Sequence, residues 1–256
     1  MKRSLYFVYG VTAHVIFFFV YAYLIGFVTG FLTPTTLDGP RAATPLAALV
    51  DILLIAAFGI QHSVMARPAF KRWWTQFIPT AIERATYVMV SNAIMIAMFL
   101  LWQPLPLTVW QVQNQSVRCA LWALAAAGWM LVPAASFLIN HFDLFGTRQV
   151  WLYLKGRAYS QPPFRMPLLY RIVRHPLYVG WLMAFWITPT MSAGHLLFAS
   201  GMTAYILIAI RFEERDLARV HGAEYSEYRK RVPMLIPIWP VSKPAGQSTP
   251  QIAAGE

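Results

Sequence analysis

Charge is what this 256-residue sequence has least of. Only 12% of its residues are Asp, Glu, Lys or Arg, while 58% are hydrophobic and 15% aromatic. A soluble domain carries roughly 25% charged residues. The shortage is concentrated, because residues 5–32, 85–117 and 119–140 contain no charge at all. A helix of about 20 apolar residues crosses a hydrocarbon core. These runs exclude a soluble enzyme and a disordered chain, and they describe a polytopic integral membrane protein. Cysteine is almost missing. The single Cys119 excludes an intrachain disulfide framework and a cysteine-rich zinc site. No two of the fourteen glycines stand two apart, so the sequence holds no G-x-G and no dinucleotide loop, nor does it hold G-x-x-x-x-G-K-[ST]. The six histidines form no His-x-x-x-His or His-Glu-x-x-His pair, so no metal is expected. There is no G-x-S-x-G elbow for serine hydrolysis.

Acidic residues are also few, ten against twenty-one basic ones, and the net charge is +11. Six spans are predicted, at roughly 5–32, 45–66, 85–104, 117–140, 176–189 and 195–211. With that assignment nineteen basic residues fall on one side and two, Arg41 and Arg118, on the other. This is the positive-inside pattern, and it predicts that both termini are cytoplasmic. The basic excess is then topology plus attraction to anionic headgroups, not a nucleic-acid footprint. Lys2 and Arg3 before an apolar run resemble a signal peptide, but the run is too long and lacks an A-x-A-like cleavage site, which predicts an uncleaved first helix. Gly26 and Gly30 form a G-x-x-x-G able to seat a neighbouring helix.

The expected fold is all-α with about six helices. Residues 1–140 form a four-helix transmembrane bundle, and 141–240 a second region with a helical hairpin, 176–211, leading into a cytoplasmic amphipathic helix. Residues 241–256 are small and polar and read as a disordered tail. The hairpin's first arm is short for a crossing, about 20 Å at 1.5 Å per residue. Long segments of the 141–174 kind are usually functional.

Three polar groups stand out against this background. Arg174-His175-Pro176-Leu177-Tyr178-Val179-Gly180 opens the fifth span. Proline suits a first helical turn, and the free N–H groups there can bind a carboxylate; alternatively the arginine, histidine and tyrosine only anchor the interface. Glu213-Glu214 ends the sixth span, and adjacent carboxylates point about 100° apart. One can therefore receive a ligand ammonium or hydroxyls, although pairing of Arg211 with Glu214 at i,i+3 is the plainer use. Asn140-His141-Phe142-Asp143 ends the fourth span and can orient and deprotonate a small acid, or simply cap the helix. His62, between Gln61 and Ser63, is a reserve candidate inside a span. His14 and His195 have no acidic neighbour in sequence and receive no role.

The order Arg174-His-Pro-x-Tyr-x-Gly180, hairpin, Glu213-Glu-Arg-Asp-Leu217, His221-Gly-x-x-Tyr225-x-x-Tyr228 and Val232-Pro-Met-Leu-Ile-Pro237 resembles the isoprenylcysteine carboxyl methyltransferase and phospholipid methyltransferase superfamily. Gln61-His62-Ser63, Asn140 through Trp151 and Phe185-Trp-Ile-Thr-Pro-Thr-Met191 are similar to one bacterial branch, the methanethiol S-methyltransferases. The resemblance implies S-adenosyl-L-methionine as methyl donor and a small apolar thiol as acceptor, with the bilayer as the other partner. It places the cofactor against Arg174, His175, Pro176, Leu177, Tyr178 and Gly180, with Arg211, Glu213 and Glu214 opposite. Arg174 and the helix start would take the cofactor carboxylate, and a glutamate the ammonium or ribose hydroxyls. The G-x-G motif of phospholipid N-methyltransferases is absent, which counts against a lipid amine substrate. For thiol activation the expectation is His141 as base, Asp143 as its orienter, Asn140 beside them and His62 in reserve. Phe142, Trp181 and Trp186 are candidates for lining the thiol pocket. The same motifs also suit another small-thiol or isoprenylcysteine-type methyltransferase, or a non-enzymatic membrane protein that keeps the scaffold.

Overall fold

A computed structural model describes residues 1–39 and 45–237; Arg41 and the expected disordered tail lie outside them. Five helices are long and apolar enough to cross a membrane: α1 (Lys2–Thr29), α2 (Ala47–Met65), α4 (Thr80–Leu101), α5 (Gln115–Ile139) and α9 (Ala193–Arg231). Short helices fill the polar segments between them. These are α3 (Pro68–Trp74), α6 (His141–Leu144), α7 (Thr147–Leu154) and α8 (Pro176–Trp186), with a 3-10 turn at Leu168–Arg171. The all-α expectation holds, and the arm expected to be short is shorter still. At 11 residues, α8 rises about 17 Å, and Ile187–Pro189 continue extended. The outward faces carry Phe19, Met130 and Ile60, all exposed, as lipid-facing surfaces should.

One element was not expected. β1 (Thr108–Gln111) pairs antiparallel with β2 (Thr190–Ser192), joining the loop after α4 to the hairpin tip. The loop after α1 meets them, since Asp38 accepts a hydrogen bond from Ser192, and Gly194 N–H adds a bond to Leu105 in the loop after α4. Three connections are thus tied together at one end of the bundle, opposite the end that carries the polar motifs. Below this clasp lies an aromatic core of Phe27, Phe99, Trp102, Phe185 and Phe198, each no more than 4% exposed. Phe185 and Phe198 meet edge-on at 5.1 Å, an arrangement aromatic quadrupoles favour.

Inside a bilayer, helices associate by close packing and internal hydrogen bonds rather than by the hydrophobic effect. Two devices meet that demand. At the α5–α8 crossing, a Cβ on Gly180 would sit 2.9 Å from Val132 Cγ2 and 3.0 Å from the Gly128 carbonyl, and one on Gly128 would sit 2.6 Å from Met183 Cβ. Any side chain there would push the two helices apart. Within α5, Pro133 has no N–H to offer the Trp129 carbonyl one turn back, and the Tyr21 hydroxyl of α1 donates to that carbonyl at 2.5 Å. The G-x-x-x-G of α1 has a different use from the one its spacing suggests. Gly30 ends the helix at φ 79°, its N–H returning to the Gly26 carbonyl, and Gly26 faces Thr33 and Phe31 of the following loop.

Candidate active site

The Arg174-His175-Pro176 turn and the Glu213-Glu214 pair converge, as the resemblance implied, and Val232-Pro233-Met234 joins them. Backbone bonds from Arg174 N–H to Pro233 (2.8 Å) and His175 N–H to Met234 (3.2 Å) clip the turn to the segment after α9. Four of the five N–H donors of the Arg174 guanidinium are then engaged by the protein. Its Nε and Nη2 both lie 2.7 Å from Glu214 Oε1, and its Nη1 donates to the carbonyls of Val232 (2.6 Å) and Arg229 (3.1 Å). Glu214 is 7% exposed and also meets His175 Nε2 at 3.1 Å and Arg229 Nε at 3.4 Å.

One expectation is corrected: Arg211 is exposed and, among the described residues, makes no ion pair with Glu214. Arg174 keeps a single N–H, on Nη2, beyond its contacts with the protein. Glu214 turns inward to the α8 start, so the i,i+3 partner on the outer face of α9 cannot reach it. Pro176 is buried in the first turn of α8, and Leu177 is half-buried without a polar contact. Gly180 faces α5 and serves packing, as its contacts with Gly128 and Val132 show.

Glu213 is the contrasting neighbour. Its side chain is 44% exposed, and its one hydrogen bond comes from the Tyr178 hydroxyl at 3.1 Å. His175 Nδ1 stands 4.0 Å from it. The carboxylate is also close enough to act electrostatically on Tyr87 and Tyr205.

Those two tyrosines lead to His62. Its ring lies 4.8 Å from Tyr87 and 5.9 Å from Tyr205, and stacks on Phe58 at 5.1 Å. Nδ1 is 3.1 Å from Ser91 Oγ, and the single Ser91 proton has the Tyr87 carbonyl (2.9 Å) and Gln61 Oε1 (3.3 Å) as acceptors. With the Ser91 proton so used, the ring proton is assigned to Nδ1. Nε2 is left as a lone-pair acceptor inside an aromatic enclosure.

His141 is wired the opposite way. It is 4% exposed and stacks on Phe137 at 3.9 Å. Its Nδ1 meets Ser136 Oγ at 2.8 Å and its Nε2 meets His14 Nε2 at 2.9 Å. Both ring nitrogens are spent. Burial, helped by the adjacent His14 ring, holds its pKa down at about 4, so the ring is neutral at physiological pH. The expected orienter is absent, because Asp143 faces Arg148 Nη1 (2.9 Å) and the Tyr159 hydroxyl (3.1 Å) instead. Asn140 is the exposed break between α5 and α6, where its carbonyl accepts from Asp143 and Leu144. Five residues from His141 along α5 and α6, Ser136 takes the place sequence adjacency had given to Asp143. Phe142 is 59% exposed, and Trp181 and Trp186 pack against the aromatic core, so none of the three lines the His62 enclosure.

Tyr87, Tyr205, Phe58 and Ser91 were not singled out from sequence. Ser91-Asn92 in the middle of a charge-free span, one helical turn after Tyr87, is the signal that pointed to them. Tyr225 is a further addition. It is 1% exposed, its hydroxyl is buried without a hydrogen-bond partner, and Glu214, Arg174 and Glu213 act on it electrostatically. An orphaned buried hydroxyl normally has a missing partner to account for it. Among the described residues no group of three or more His, Cys, Asp or Glu is placed to hold a metal ion.

A helical membrane bundle with an available carboxylate, an orphaned hydroxyl and an open histidine nitrogen near one end has the makings of an integral-membrane enzyme site. Comparison with known proteins narrows that class. The chain is 48% identical to methanethiol S-methyltransferase of Mycobacterium tuberculosis over 94% of its length and 98% of the relative's. It is 52% identical to the Pseudomonas deceptionensis protein of the same name over 80% and 78% of the two chains. Nurim of Rattus norvegicus is more distant, at 26% identity over 67% of this chain and 69% of its own. No family model matches the chain, and no solved structure does. The chain belongs to the methanethiol S-methyltransferase family.

Proposed function

We infer that this integral membrane protein transfers a methyl group from S-adenosyl-L-methionine to methanethiol, releasing dimethyl sulfide, and that His62 is the group that takes up the thiol proton. The observation that carries the reading is the Nε2 of His62, without a hydrogen-bond partner among the described residues, enclosed by Phe58, Tyr87 and Tyr205, the two tyrosines on which Glu213 acts electrostatically. S-adenosyl-L-methionine supplies a methyl group made electrophilic by its sulfonium.

The residues present suit that donor. Glu213 has carboxylate capacity left for an ammonium or for ribose hydroxyls, and the Tyr225 hydroxyl lacks the partner that a ligand polar atom would supply. The Arg174–Glu214 pair does not touch the ligand in this reading; it fixes the α8 start and the 232–234 segment around it. The aromatic faces of Tyr87 and Tyr205 exclude water, which favours a step in which opposite charges are consumed, and they offer electron-rich surfaces to a cation. A cysteine thiol has a pKa of about 8.5, and methanethiol is a weaker acid. A neutral histidine shares the proton as the sulfur attacks, with Ser91 holding the ring orientation.

The polar end of the bundle faces the cytoplasm of a bacterial inner membrane in this reading, with both termini inside, because nineteen of the twenty-one basic residues then lie inside. Single cysteines at positions 110 and 224, both exposed, in a Cys119→Ser background and labelled in intact cells, separate this orientation from its inverse: only 110 should react from outside. Activity is tested by headspace measurement of dimethyl sulfide from purified protein with S-adenosyl-L-methionine and methanethiol. Protein that binds S-adenosylhomocysteine yet releases no dimethyl sulfide would refute methanethiol as the acceptor and leave other small thiols to be tried.

A further inference from the structure

A second polar cavity, of about 510 Å³, opens beside the N-terminal end of α4. Lys71 of α3, Glu83 and Arg84 of α4, Asp143 of α6, Gln149 of α7 and Arg157 after α7 line it. None of these side chains takes part in the cofactor reading above.

The charge balance of the cavity favours an anion. Asp143 is already neutralised by Arg148 and bonded by Tyr159, so it attracts little further cation. Glu83 stands 3.9 Å from Lys71, too far for a hydrogen bond. Arg84 places its guanidinium over the Tyr87 ring at 5.0 Å and donates Nε to the Leu144 carbonyl at 2.9 Å, which leaves both terminal nitrogens without a hydrogen bond among the described residues. The Arg157 side chain has no partner among the described residues. Burial, and next the nearby Arg84, lower the pKa of Lys71 from its ordinary value, Glu83 offsetting part of this; a bound anion would relieve that crowding.

Gln149 adds a second requirement. Its Nε2 donates to the Asp143 carbonyl at 3.2 Å, and a carbonyl can only accept, so the amide cannot be turned round. Its Oε1 is buried and unpaired and asks for a hydroxyl or N–H. The depth of the cavity is set by α3 and the turn after it, where Trp73 and Phe77 are 51% and 66% exposed. Exposed aromatics of this kind sit at headgroup level.

We propose that this cavity binds a phosphate group that carries a hydroxyl, as in the headgroup of a glycerol-type anionic phospholipid, at a site separate from the methyl-transfer site. Lys71, Arg84 and Arg157 take the phosphate oxygens, and Gln149 Oε1 accepts from the hydroxyl.

The test uses the full-length purified protein in neutral detergent, with thermal unfolding followed as each probe is added. Phosphatidylglycerol should raise the midpoint, and phosphatidylmethanol, which has the phosphodiester without the hydroxyl, should do so less. Inorganic phosphate reproducing the shift would identify the free anion as the source, whereas a shift from the lipid alone would identify the headgroup; either supports the site. Lys71→Gln with Arg157→Gln should raise the half-saturating concentration about tenfold or more. Gln149→Leu should abolish the preference for phosphatidylglycerol over phosphatidylmethanol. Variants are accepted only if they still bind S-adenosylhomocysteine, which certifies their fold independently of the cavity. An unchanged midpoint with every phosphate, an unchanged response in the double variant, or displacement of the lipid by S-adenosylhomocysteine would each overturn the proposal, the last by making the cavity part of the cofactor site.

Discussion

His62, half-buried, and His141, buried, both stand among aromatic rings near the polar end of the bundle, yet they are wired for opposite purposes. His141 has Ser136 on one nitrogen and His14 on the other; His62 has Ser91 on one and nothing on the other. The adjacent glutamates repeat the contrast. Glu214 is enclosed by Arg174, His175 and Arg229, while Glu213 has a tyrosine hydroxyl and solvent. A polar group whose bonding capacity is satisfied internally holds a fold together, and one with capacity left over is available to a ligand. Residue type alone does not distinguish the two.

The largest expected effect tests the histidines. His62→Ala should lower kcat about 10²–10⁴-fold while S-adenosylhomocysteine still binds, and more of the loss should be recovered at raised pH, where methanethiolate is already present. His141→Ala should instead lower the unfolding temperature and leave the turnover of folded protein within a few-fold of wild type. The reverse pattern in stopped-assay kinetics would return the base to His141.

The glutamates come next. Glu214→Gln leaves Arg174 buried without its counter-charge and should destabilise by about 3–5 kcal/mol, seen as a lower unfolding midpoint in detergent. Glu213→Gln should unfold like wild type but bind S-adenosylhomocysteine about one to two decades more weakly by calorimetry. Equal effects of the two changes would erase the distinction drawn between them.

The smallest effect is the pH dependence of stability. Because His141 titrates near 4 when folded, against an ordinary value of about 6.5 when unfolded, its contribution is complete above pH 6.5. It is lost as pH falls from there through 4, since the unfolded chain takes up the proton first. His141→Gln should flatten that part of the midpoint-versus-pH curve, and an unaltered slope would mean that the ring does not titrate as described.

Much of this was legible in the sequence. The expected spans located α1, α2, α4 and α5 to within about five residues, whereas α9 continues to Arg231, well past the expected end at 211, and the resemblance placed the Arg174 turn opposite Glu213 and Glu214. Partners across the bundle were not legible. Nothing local says that His14 meets His141, 127 positions away, or that Arg174 rather than Arg211 holds Glu214. Asp143 looked like an orienter because it is two residues from His141, but on a helix residues two apart do not face each other. The β1–β2 pairing was hidden for a similar reason. Thr108–Gln111 is a short β-branched and aromatic stretch within an apparently irregular loop, and only its distant partner makes it a strand.

The helix α9 runs from Ala193 at the clasp past Glu213 and Glu214, without an interior break before Gly222 at φ 55°. Over Ala193–Glu214 it is a rod of about 33 Å, comparable to the thickness of the hydrocarbon it crosses. A membrane helix answers a change in bilayer thickness by tilting. The clasp holds one end of this rod, and the Arg174–Glu214 and Arg67–Asp216 ion pairs hold the other, so a tilt of α9 carries the start of α8 with it.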